Sequence, residues 1–148
     1  MTAQINWLGW IGAWLLMAVL PITVSLTPWI SEPLRYVLME AFHIFCHQIP
    51  ERSPHVNGVQ LAVCDRCYGI LIGLCSGPLM ALFYWKWIAR HARMMIIVSI
   101  VPLVIDWGFG IVGVLSNTPE SRFVTGFLFG IVAGGLVAHG MSFRKHEQ

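Results

Sequence analysis

At 148 residues the chain is the size of one domain, with 57% hydrophobic residues, 11% charged residues and a formal net charge of +2. A soluble globular chain carries about 25% charged residues, so this one, with a mean hydropathy of +0.71, is expected to lie in lipid. The small net charge and the lack of a Lys/Arg block able to neutralise many phosphates argue against nucleic acid as a partner.

In chain order, residues 5–31 carry no charge. A spanning helix needs roughly 20 apolar residues, which places a first span at about 5–30. Trp7, Trp10 and Trp14 at its start and Trp29 at its end suit the two lipid–water interfaces. A cleaved signal peptide is the competing reading, but the basic leading segment is missing and the apolar run is too long. Glu32 to Cys46 reads as a short helix, with Ser31 as its cap and Pro33 in its first turn. Leu34, Val37, Leu38, Ala41, Ile44 and Phe45 form one stripe at helical spacing. This segment is too short and too charged to span, and is expected to lie at the interface or dip into the bundle.

Three more apolar runs follow, at about 67–86, 94–116 and 122–143. A basic turn (Lys86, Arg90, His91 and Arg93) separates the first two, and the stretch SNTPES separates the last two. The expected fold is an all-α integral membrane protein: a four-transmembrane-helix bundle over 1–148, with a short interfacial helix. A Cys/His loop, 43–67, joins spans one and two. Lys86, Arg90, Arg93, Arg144 and Lys145 on one side outnumber Arg35, Arg52, Arg66 and Arg122 on the other. The positive-inside rule then puts both termini in the cytoplasm and the loop outside. Gly69, Gly73 and Gly77 in the second span, and Gly126, Gly130 and Gly134 in the fourth, recur every four residues, a spacing that lets two backbones approach closely in lipid. The matching stretches YGILIGLCSG and TGFLFGIVAG, each following an arginine, raise the reading of a duplicated hairpin. Chance likeness between glycine-rich helices is the alternative.

The loop concentrates the reactive side chains. Cys64 and Cys67 form a C-x-x-C just before the second span, and Cys46 and His47 lie upstream, with His43 as an alternative ligand. Thiolate and imidazole donors favour zinc, so Cys46, His47, Cys64 and Cys67 are the expected metal ligands. A Cys3His set would be closed and structural, since catalytic zinc keeps a position for water. A redox dithiol or disulfide at Cys64 and Cys67, or a disulfide from Cys46 to either, are the alternatives. Cys75 reads as packing and His55 as a solvated loop residue, while His91, His139 and His146 lie toward the other face. Asp106 is a carboxylate within a span, where such groups are costly and usually serve a function. Arg122 could lean toward it, and the two are the catalytic candidates if the protein is an enzyme. Fixing helix packing is the plainer role for Asp106. Arg52, Arg66 and Arg122, with Ser53 and Asn117, could cradle an anionic lipid head group or small solute. Snorkelling at the lipid surface explains the arginines equally well.

These residues carry a resemblance. CHQIPERS (Cys46–Ser53), VCDRCYGILIG (Val63–Gly73), the pair Pro102 and Asp106, and the stretch from Ser116 to Gly126 resemble a widespread family of small bacterial and archaeal membrane proteins classed as a domain of unknown function. The resemblance covers about residues 40–135. It implies a multi-span membrane protein with Cys-His-Gln and C-x-R-C elements, and no activity. In one departure Trp107 follows Asp106, where the family pattern is expected to have Gly. The function expected is a metal-binding membrane protein with an arginine- and Asp-lined pocket that binds an anionic lipid or small solute. A membrane-embedded metal-dependent enzyme acting on a lipid-linked phosphate, and a C-x-x-C redox protein, are the alternatives. Self-association into a homo-oligomer stays open.

Overall fold

The computed structural model describes residues 6–113 and 117–142. The expected span ends at Ile5, Ser116 and Phe143, and the tail with Arg144, Lys145 and His146, lie outside the described residues. The chain forms helices α1 (Trp7–Leu26), α2 (Glu32–His43), α3 (Asp65–Val112) and α4 (Pro119–Ser142). Single 3-10 turns occur at Thr27–Trp29 and Pro50–Arg52, and β1 (His55–Val56) pairs antiparallel with β2 (Val59–Gln60). Four stretches are long and apolar enough to cross a membrane: Trp7–Trp29, Asp65–Phe83, Arg90–Val112 and Pro119–Ser142. The molecule is an all-α, multi-pass membrane protein.

The open turn expected at Lys86–Arg93 between the second and third spans does not form. The backbone stays helical from Asp65 to Val112, because residues 82–95 contain neither Gly nor Pro to end it. Forty residues of straight helix would hold Arg66 about 60 Å from Asp106, yet the two side chains form an ion pair. The helical path therefore doubles back. It does so between Ala81, which approaches Gly135, and Met95, which shares a cavity lining with Gly77 and Met80.

Three contacts set the direction of α1. Asn6 donates its N–H to the Ser142 carbonyl at 3.2 Å, and the Trp14 indole donates to the Cys75 carbonyl at 3.1 Å. The Ser25 and Tyr68 hydroxyls lie 3.0 Å apart. So α1 runs antiparallel to both α4 and the first half of α3. Residues 6 and 142 meet at one end of the bundle, and the cysteine loop caps the other.

Glycine decides how α3 and α4 meet. A Cβ built on Gly69, Gly73 or Gly77 would lie 2.2, 2.4 or 2.3 Å from the carbonyl oxygen of Phe123, Phe127 or Ile131. One on Gly126, Gly130 or Gly134 would meet the oxygens of Arg66, Ile70 and Leu74 at 2.2, 2.3 and 2.4 Å. The register advances together on both helices, so they lie parallel with backbones in contact.

Helix α2 buries none of its residues, and Leu34 and Val37 stay more than half exposed. Its apolar stripe faces outward rather than into the bundle, as an interfacial helix requires. Ser31 occupies the cap position, but its hydroxyl makes no capping bond; its carbonyl accepts the Arg35 N–H at 2.9 Å. Beyond α2 the loop folds inward. Asn57 and Gly58 both take positive φ, 53° and 77°, which suits the two-residue turn of β1–β2. Leu61, Ala62 and Val63 are then buried, and Leu61 and Val63 pack with Val24 and Cys46.

Candidate metal centre and cationic cavity

The loop and the start of α3 bring three sulfurs together. Cys64 is the N-cap of α3 and Cys67 the third residue of its first turn, so both side chains reach the same side of the helix start. Cys46 arrives from the turn after α2, where its N–H bonds to the Phe42 carbonyl at 3.0 Å. The sulfurs of Cys46, Cys64 and Cys67 all lie within 4.8 Å of one another. Four sulfurs around zinc, at about 2.3 Å each, sit about 3.8 Å apart in a tetrahedron, so the trio already stands near ligand spacing. All three cysteines are free, as is Cys75. Cys46 is buried and accepts the Cys64 backbone N–H at 3.2 Å. The Cys64 side chain first, and then that of Cys67, hydrogen-bonds to it and holds it well below the usual thiol range, with backbone N–H groups adding and burial opposing. The N-terminal end of α3 favours the thiolate form in the same direction.

His43 and His47 do not join the trio: both are exposed, and neither belongs to the close set of possible ligand atoms. Helical order ends at His43, and the turn that carries Cys46 inward leaves its neighbour His47 outward. His47 still lines the cavity described next.

A cavity of about 390 Å³ opens against the trio. Cys46, Cys64 and Cys67 line it together with His47, Gln48, Arg52, Arg66, Asn117 and Arg122. Its apolar lining comes from Phe45, Ile49, Trp107 and Ile111, of which Phe45 is 82% exposed and Ile111 64%. These apolar side chains share the cavity with the polar ones. Ser53, expected beside the arginines, is instead buried, its hydroxyl donating to the Ile49 carbonyl at 2.8 Å. It shapes the 3-10 turn that carries Arg52.

Asp106 is the hub of a polar network beside the cavity. Its carboxylate takes an ion pair from Arg66, a hydrogen bond from the Ser121 hydroxyl at 2.8 Å, and one from the Asn117 amide at 3.2 Å. The Asn117 amide also donates to the Asp106 carbonyl. Room for Asn117 comes from Gly110, where a Cβ would sit 2.2 Å from the Asn117 side-chain oxygen. Arg122, which the sequence suggested could lean toward Asp106, pairs instead with Asp65 at 3.7 Å. The reason is register: α3 and α4 start side by side, so the two first turns face each other. Trp107, the residue that departs from the expected pattern, lines the cavity beside this network. Adjacent residues Asp65 and Arg66, lying between the two C-x-x-C cysteines, thus clasp α4 and the returning half of α3.

Residues 46–136 match the family described as "Predicted membrane protein (DUF2085)". The chain belongs to this family. The DUF2085 region runs from Cys46 through the α4 glycines, so every polar cavity residue falls inside it. An uncharacterized protein of the archaeon Methanocaldococcus jannaschii is 32% identical over 95 residues, covering 63% of this chain and 61% of its own length. The chain thus spans about three fifths of that relative. No solved structure matches it.

Three positions that shape this end of the DUF2085 region were not read from sequence. Gln48 ties the loop, donating to the Met39 and Ala62 carbonyls at 2.7 Å each, while its own carbonyl accepts from Gln60 at 2.7 Å. Asp65 and Ser121 supply the partners of Arg122 and Asp106. The Asn57-Gly58 pair was a readable hairpin signal. The partners of Arg122 and Asp106 had none, because they depend on how α4 lies on α3.

Proposed function

We propose that this protein binds a metal ion, zinc by ligand chemistry, through Cys46, Cys64 and Cys67, and uses the adjoining cavity to bind an anionic lipid or small solute. The observation that carries the reading is the shared lining: three sulfurs within 4.8 Å of one another face the same cavity as Arg52, Arg66 and Arg122. Thiolate donors select zinc over hard cations such as magnesium or calcium. The metal would fasten the loop to α3 across the mouth of the bundle. By the excess of Lys and Arg at the other end, we place the termini in the cytoplasm and the cysteine end outside.

Elemental analysis of the purified protein tests the metal. One zinc per chain is expected, falling to background in Cys46→Ser and Cys64→Ser and unchanged in Cys75→Ser. Metal-free protein in which two of the three thiols of Cys46, Cys64 and Cys67 no longer titrate would replace this reading with a disulfide.

A further inference from the structure

We infer that the metal's fourth donor is not a protein side chain but an oxygen of a singly charged phosphodiester, carried by a lipid whose other phosphate oxygen is held by Arg52. The inference rests on the metal reading above and deepens it. Zinc on three thiolates takes a fourth donor. Among the described residues no further His, Cys, Asp or Glu atom stands with the trio, and all three cysteines line the cavity.

Charge narrows the class. Zinc with three thiolates carries one net negative charge, and Asp65 and Asp106 add two more. Arg52, Arg66 and Arg122 offset these three, while Glu120 acts on Asp65 and Glu51 adjoins Arg52. A site with no excess of positive charge admits one extra negative charge more readily than two or three, which favours a phosphodiester over a phosphomonoester or a pyrophosphate. Arg66 and Arg122 are committed to Asp106 and Asp65, while Arg52 makes no ion pair among the described residues. Its guanidinium is therefore the group available to grip a second phosphate oxygen, and Arg favours such oxyanions.

Shape narrows the source. A free phosphate ion fills a small part of about 390 Å³, and it gains nothing from Phe45, Ile49, Trp107 and Ile111 in the lining. A lipid would set its phosphate among the polar lining residues and its glycerol and upper chain against those apolar ones. Exposed apolar groups beside an arginine-lined hollow match the two ends of such a molecule.

Cobalt(II) in place of zinc reports both layers separately. Thiolate-to-cobalt charge-transfer bands show that the three cysteines hold the ion, and the ligand-field bands report the fourth donor. The metal-substituted protein is compared in maltoside micelles, which hold no phosphate, and in the same micelles with phosphatidylglycerol added. The ligand-field bands should shift on adding phosphatidylglycerol. Arg52→Gln should weaken that response roughly 10- to 100-fold, the worth of a hydrogen bond to a charged group, and His47→Ala should leave it in place. Charge-transfer bands with ligand-field bands indifferent to phosphatidylglycerol would overturn the inference and leave the metal reading standing. A spectrum altered by His47→Ala in the phosphate-free micelles would overturn it in favour of imidazole. The same shift with inorganic phosphate in those micelles would overturn the lipid source. Absence of charge-transfer bands would remove the metal reading and this inference with it.

Discussion

Gly73→Ala probes the contact between α3 and α4 most directly. The new methyl carbon would stand 2.4 Å from the Phe127 carbonyl oxygen and 2.8 Å from both the Gly130 Cα and the Ile131 nitrogen. All three atoms are backbone, so no side chain can swing aside. Restoring the 3.0 Å below which such carbons are essentially never found requires the helices to part by about 0.6 Å locally. A gap of about 0.5–1 Å forfeits a quarter to a half of each dispersion contact, and overpacking costs about 1–3 kcal/mol or more. Rigid backbone on both sides puts this case at the upper end, about 3 kcal/mol. Gly12→Ala is the matched control: nothing lies within 4 Å of its added carbon, and a better helix former there should stabilise by up to about 1 kcal/mol. Both are read by denaturant unfolding in detergent micelles, followed by tryptophan fluorescence. Gly73→Ala together with Gly130→Ala should cost less than the sum of the two, because one separation relieves both clashes. Gly73→Ala within 0.5 kcal/mol of the parent, a margin of about the additivity error, would refute the reasoning, as would equal loss from Gly12→Ala.

Two further outcomes follow from the polar end. Asp106→Ala strands the Arg66 guanidinium, and breaking a fully buried pair costs about 3–5 kcal/mol; with side chains 12% and 19% exposed, about 2–3 kcal/mol is expected here. A double-mutant cycle with Arg66→Ala checks it, and effects that simply add would show the pair to be uncoupled. Gln48→Ala removes two hydrogen bonds and leaves the carbonyl of buried Ala62 without this partner. At about 1 kcal/mol per bond, loop opening should rise roughly 30-fold, measured as the rate of proteolysis between Pro50 and Gln60; an unchanged rate would show that Gln48 is not what ties the loop down.

How much of this was legible beforehand divides along physical lines. Four spans, a short α2 that does not span and close packing of the glycine helices follow from hydropathy, helix length and residue size, which act locally or over one helical turn. The C-x-x-C spacing at a helix start likewise brings Cys64 and Cys67 together without help from the rest of the chain. The reversal between the second and third spans was legible too, from the basic stretch between two apolar runs. That the backbone stays helical through it was not expected, although its residues carry no breaker.

The site shows the same division. That Cys46 belongs with the other two cysteines was a matter of one cluster preceding another, but which of Cys46 and His47 turns inward depends on where helical order ends and how Gln48 anchors the loop. The pairing of Arg122 with Asp65, and of Asp106 with Arg66, Ser121 and Asn117, depends on the relative register of α3 and α4. Backbone contact at six glycines sets that register. A sequence states which residue types can sit at a helix surface; the depth to which two helices slide past each other decides which of them touch.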